Sequence, residues 1–186
     1  MESALAIVRF LHYSAAIQLF GTAIFETWIA TEALSSRLLS LSRRIAVFNA
    51  WLLLGSAVLW LGLEGGSMGD GWADTVNPTV IMLVITSTTF GQVWVANLIF
   101  AAAAVIVAHA LGPRRLGALA IVATLCLGSL GFIGHAMSET GLLGALSEAS
   151  QVVHLLSSGF WFGSLLSVVL VLRQIRDPRY TLDTDI

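Results

Sequence analysis

His12, His135 and His154, with Met68 and Met137, are the residues of this chain whose types and spacing could hold a metal. Imidazole and thioether suit copper, and the thioether favours the cuprous ion. A neutral imidazole also ligates haem iron. His135 closes the stretch "GFIGHAMSETG", the end of an apolar run that carries no charge after Arg115, and Met137 follows two residues later. His154 falls one turn and His12 two turns into other apolar runs. Glu26 is a carboxylate inside the first run, a candidate proton or cation relay.

Composition decides where these side chains lie. The chain has 186 residues, 57% of them hydrophobic and only 11% charged, with a mean hydropathy of +0.88. Soluble domains carry roughly 25% charged residues. Several apolar stretches reach the roughly 20 residues that a bilayer-spanning helix needs. The expected fold is an all-α membrane protein in one domain over 1–186, with five transmembrane helices at 4–33, 45–63, 91–111, 116–136 and 150–172. A short apolar helix at 79–89, started by an Asn77 cap and Pro78, is too short to cross and is read as interfacial or re-entrant. Glu2, Arg9 and His12 interrupt any signal-peptide core. The lone Cys126 sits in an apolar run and forms no internal disulfide.

Charge sets the orientation. Arg37, Arg43, Arg44, Arg114, Arg115, Arg173, Arg176 and Arg179 all fall on one side of a five-span chain, which the positive-inside rule makes cytoplasmic. Glu64, Asp70, Asp74, Glu139 and Glu148 occupy the opposite loops. A crossing of the short helix would split the arginines between the two sides. The N-terminus is therefore expected outside and the C-terminus inside. His12, His135 and His154 then share one depth near the outer surface, with Met68 and Met137 beside them. His109 lies at the inner end as an interfacial residue.

Helix geometry supports convergence. Gly128, Gly131 and His135 fall on one face of the fourth span, where missing side chains admit a neighbouring helix. Gly159 and Gly163 form a G-x-x-x-G pair on the fifth. Glu26 lies within about 40° of the His12 face and roughly 21 Å deeper. Arg9 calls for a carboxylate or lipid phosphate, and Gln18, Asn49 and Asn97 read as interhelical hydrogen-bond donors. Trp28, Trp60, Trp72 and Trp94 fit interfacial belts. Met82 and Cys126 read as packing.

Four segments in order carry a family resemblance: "RFLHYSAA", "TSTTFGQVW", "GHA" and "VVHLLSSGFWFGSLL". They resemble the CopD/PcoD copper-resistance membrane proteins over residues 9 to about 166. The pattern is arginine-x-x-histidine, T-x-F-G-x-x-W, G-H-A, then H-L-L-x-x-G-x-W-x-G. The resemblance implies a bacterial inner-membrane protein that receives copper on the periplasmic side, often alongside a small periplasmic copper-binding protein. It matches His12, His135 and His154 as ligands and, through "GGSMGDGW", Met68 more loosely. Typical members continue with further helices, and Glu26 maps to nothing in the pattern.

The leading reading is copper capture, as Cu(I) or Cu(II), at the outer histidines, for transport inward or handover to a partner. The alternatives are a b-type cytochrome with two of these histidines on haem b, carrying electrons between quinone and an outer acceptor, and a non-catalytic assembly subunit of a copper enzyme. The chain has no phosphate-binding loop, and a net charge of −2 without a single lysine argues against a nucleic-acid partner. No enzymatic reaction is assigned.

Overall fold

The computed structural model describes residues 1–110, 112, 115–133 and 141–176, and among them the regular structure is entirely helical. Helix α1, Glu2–Ile24, runs on into a single π turn at Phe25–Ile29. The chain extends at Ala30, and Thr31 caps α2, Glu32–Met68, by accepting the Leu34 amide on its side chain. That cap ends the first span four residues short of the expected 33 and starts the second well before 45. Arg37, Arg43 and Arg44 therefore ride on α2 instead of lying in a loop.

Gly71, at φ 114°, turns the chain after α2 into a 3-10 segment, Trp72–Val76. The Asn77 side chain then accepts the Thr79 amide and Pro78 opens α3, Pro78–Ser87, as its capping residues require. One residue joins α3 to α4, Thr89–His109. Thr88 serves both helices, donating its hydroxyl to the Val84 carbonyl at 2.7 Å and accepting the Gly91 amide at 2.9 Å. Gly91 rests on the backbone of Val84 and Ile85, where any side chain would collide. The T-x-F-G portion of the second motif thus builds a tight helical hairpin, with α3 folded back on α4.

Helix α5, Leu116–Ser129, tightens into a 3-10 turn at Leu130–Phe132. Helix α6, Gly141–Gly163, is followed after Ser164 by α7, Leu165–Arg176. Glycine again sets the spacing. Gly163 meets Gly21 and the Ile17 carbonyl of α1, and Gly131 sits against Val152 of α6. The Gln18 amide reaches across to the Gly163 carbonyl at 3.0 Å. Leu19, Leu53, Trp94, Leu119 and Leu127 fill the space among α1, α2, α4 and α5.

Four helices are long and apolar enough to cross a membrane: Glu2–Ile29, Arg37–Met68, Thr89–His109 and Gly141–Gln174. Leu116–Phe132, within the expected fourth span, and Pro78–Ser87 are shorter apolar helices. Two tryptophans depart from the expected belt. Trp28 and Trp72 are exposed, but Trp60 and Trp94 are buried in the core at 2% and 0%. Their indole N–H groups find protein acceptors, the Glu64 carboxylate and the Ala57 carbonyl, which is what allows them inside. Asn49 also departs, because its amide bonds the Ile45 carbonyl of its own helix.

Candidate metal centre

His12 lies on the buried face of α1, between Val8 and Ala15, and no part of it is exposed. The residues around it come from two other helix faces. On α2, Leu53, Ser56, Trp60 and Glu64 recur at spacings of three and four and so form one stripe. On α4, Trp94 and Asn97 do the same. Trp60 meets the imidazole edge-on at a centroid distance of 5.7 Å, and Trp94 lies tilted against it at 5.1 Å.

The hydrogen bonds define the ring's state. The Ser56 hydroxyl donates its one proton to the Leu53 carbonyl at 3.0 Å. It therefore accepts from His12 Nδ1–H, also at 3.0 Å. The other nitrogen, Nε2, then carries a lone pair, is buried, and has no hydrogen-bond partner. Asn97 approaches the same ring. Its amide group donates to the Cys126 carbonyl at 3.2 Å and to Ser129 at 2.9 Å, and its Oδ1 is likewise buried without a partner. His12 Nε2 and Asn97 Oδ1 are thus both buried without a partner, beside the rings of Trp60 and Trp94. Leaving such atoms unsatisfied costs roughly 1–3 kcal/mol each, so a group that bonds them is favoured here.

One turn nearer the N-terminus, Arg9 closes this end of the bundle. Its guanidinium pairs with Glu64 at 2.8 Å and lies over the Trp60 ring, 5.2 Å from the centroid. Trp60 donates to the same Glu64 oxygen at 3.2 Å. The arginine-x-x-histidine motif thus has two structural jobs, an ion pair and a core imidazole, on one helix face. Of the carboxylate or lipid phosphate expected for Arg9, the carboxylate is present.

Of the remaining expected ligands, two fall among the described residues. His154 is exposed on α6, and Met68 is exposed at the end of α2. His135 and Met137 lie outside the described residues. Among the described residues no three His, Cys, Asp or Glu side chains form a group that could hold a metal. Cys126 is fully buried against Asn97, with 3.6 Å from the amide to Sγ. His109, as expected, is exposed. Its Nδ1 lies 2.9 Å from the Val105 carbonyl, and Trp51 meets its ring edge-on.

Glu26 lies within the π turn at the opposite end of α1, and only 4% of it is exposed. Its carboxylate takes the Ser42 hydroxyl, and its Oε2 has no partner. An inner-interface position suggests contact with water, but packing of α2 across the π turn covers it. Ser56 was not singled out from the sequence, and Glu64, expected in an outer loop, lies instead on α2. The signal that finds them is their three- and four-residue spacing with Trp60.

The architecture defines a multi-pass helical membrane protein with a histidine buried midway along its first helix and a carboxylate buried in the π turn that follows it. The chain belongs to the copper resistance protein D-like family, whose N-terminal domain model matches residues 1–145. It is 31% identical over 174 residues to "Inner membrane protein YebZ" of Escherichia coli (strain K12), covering 91% of this chain and 58% of that one. It is 28% identical over 180 residues to "Copper resistance protein D" of Pseudomonas syringae pv. tomato, covering 93% of this chain and 57% of that one. The chain thus spans somewhat over half the length of these relatives. No solved structure matches it. Family membership and the apolar helices identify a multi-pass inner-membrane protein and support a role in copper resistance.

Proposed function

We propose that this protein captures copper on the periplasmic side of the inner membrane, for transport into the cell or handover to a periplasmic copper-binding protein, with His12 as its innermost ligand. The observation that carries the reading is the free Nε2 of a buried imidazole whose other nitrogen donates to Ser56. Metal-bound histidines are held in this way, with the second ring N–H given to a neighbouring acceptor that sets the tautomer and raises ligand basicity. His154, His135, Met137 and Met68 are the further ligands in this reading. The copper-resistance family supports copper as the ion, and the imidazole and thioether set suits it. The topology that goes with this is five crossings, N-terminus outside, which the arginine distribution supports.

Copper titration of the purified full chain in detergent, with and without reductant, tests the reading. His12→Ala should remove most of the bound copper. Ser56→Ala should weaken it by roughly 10–100-fold, the effect of removing an outer-shell partner. Met137→Leu should weaken cuprous more than cupric binding, and His109→Ala should change nothing. Parent-like affinity in His12→Ala refutes the assignment. A Soret band with reducible α-bands in the purified protein would give these histidines to haem b instead.

A further inference from the structure

We propose that the cleft where α1, α2 and α5 meet is a second site, for a hydrated divalent cation of the magnesium or manganese class, with Glu26 as its anchoring carboxylate. The cleft encloses about 620 Å³ and is lined by Glu26, Thr27 and Ala30 from the end of α1, Glu32 and Ser35 from the start of α2, and Leu116 from the start of α5. A water occupies about 30 Å³, so an ion and several waters fit.

The donor set selects the ion. Every polar side chain among the lining residues ends in oxygen. Thr27 gives its hydroxyl proton to the Ala23 carbonyl, and Ser35 gives its own to the Glu26 carbonyl. Both hydroxyl oxygens are left able to accept from an ion's waters. Such a set suits hard cations and is poor for cuprous copper, which prefers sulfur and imidazole. Two carboxylates, Glu26 and Glu32, match the habit of magnesium, which binds through one or two carboxylates and keeps much of its water. Three or more charged ligands would instead suit a dehydrated ion.

Glu26 itself supplies the independent evidence. It lines the cleft with only 4% of its surface exposed, and its Oε2 has no hydrogen-bond partner. A buried carboxylate is costly unless it is paired or coordinates a metal. Ser42 donates to the other oxygen and so orients the group, as an outer-shell partner does. Helix ends act in both directions. The N-termini of α2 and α5 bring about half a positive charge each, and the C-terminus of α1 about half a negative one. The two carboxylates outweigh that sum.

This inference goes beyond copper capture and does not depend on it. The test is titration of the full chain in detergent with manganese(II), following free manganese by electron paramagnetic resonance and competing with magnesium. The parent should bind one manganese, displaced by magnesium and not by cuprous copper. Glu26→Gln should lose more affinity than the roughly 10–100-fold expected of Ser42→Ala, and Glu32→Gln should weaken binding. His12→Ala should bind manganese as the parent does, whatever happens to its copper. Absence of bound manganese at millimolar concentration overturns the site. So does parent-like affinity in a Glu26→Gln protein with parent-like helicity and elution. If Glu26→Gln does not fold, parent-like affinity in both Ser42→Ala and Glu32→Gln overturns it equally.

Discussion

Gly163→Ala is the sharpest test of how the bundle is held together. A Cβ at this position would stand 3.0 Å from Gly21 Cα, with the Ile17 carbonyl oxygen nearer still. Both are backbone atoms of a helix interior, so no rotamer change relieves the contact. The two helices would have to part by about 1 Å, against an overpacking cost of about 1–3 kcal/mol. Separation also stretches the 3.0 Å bond from Gln18 to the Gly163 carbonyl, a further loss of about 1 kcal/mol. The sum is about 2–4 kcal/mol. At roughly 2–4 °C per kcal/mol for a chain of this size, Tm should fall on the order of 5–15 °C. Gly55→Ala is the matched control. That glycine is exposed in the middle of α2, and an added Cβ meets nothing within 4 Å. Ala there should raise stability by about 0.5–1 kcal/mol through reduced backbone entropy. Thermal unfolding of the two variants and the parent in one detergent gives the comparison. Equal or higher Tm for Gly163→Ala refutes the close α1–α6 contact.

Two further outcomes are expected. Asp74 accepts the Asp70 amide at 2.7 Å and the Asn77 amide at 2.8 Å, which hold its carboxyl below the usual aspartate range. A depressed folded pKa stabilises above the unfolded value and loses that contribution as pH falls through the folded one. The protection of the Asp70 amide, measured against its intrinsic exchange rate at each pH, should therefore be high near neutrality and fall below about pH 4, while Asp74→Ala should leave it unprotected throughout. Equal protection in parent and variant would mean the loop is held by other contacts. For the topology, phosphatase and fluorescent-protein fusions at residue 186 should give fluorescence and no phosphatase activity. Active phosphatase there would invert the orientation and with it the outer placement of His12.

Some of this protein was legible in the residues themselves. Bilayer-length apolar runs, the Asn77–Pro78 cap, the glycines at 131, 159 and 163 and the need of Arg9 for an anion are all local consequences of composition and spacing. The family followed from short motifs in order, and the hairpin at Thr88 and Gly91 explains why one of them takes the form it does. Tertiary structure alone decided which apolar face is core and which faces lipid, because hydrophobicity does not distinguish the two in a membrane helix. Trp60 and Trp94 therefore read as belt residues until Glu64 and Ala57 were found beside them. The His12 tautomer depends on Ser56, 44 positions away, and the Arg9 pair on Glu64, 55 positions away. Glu26 reads as close to water until α2 is folded across the π turn. Each is a pairing between helices, and a side chain's partner there is set by how two faces dock, which no periodicity within either helix encodes.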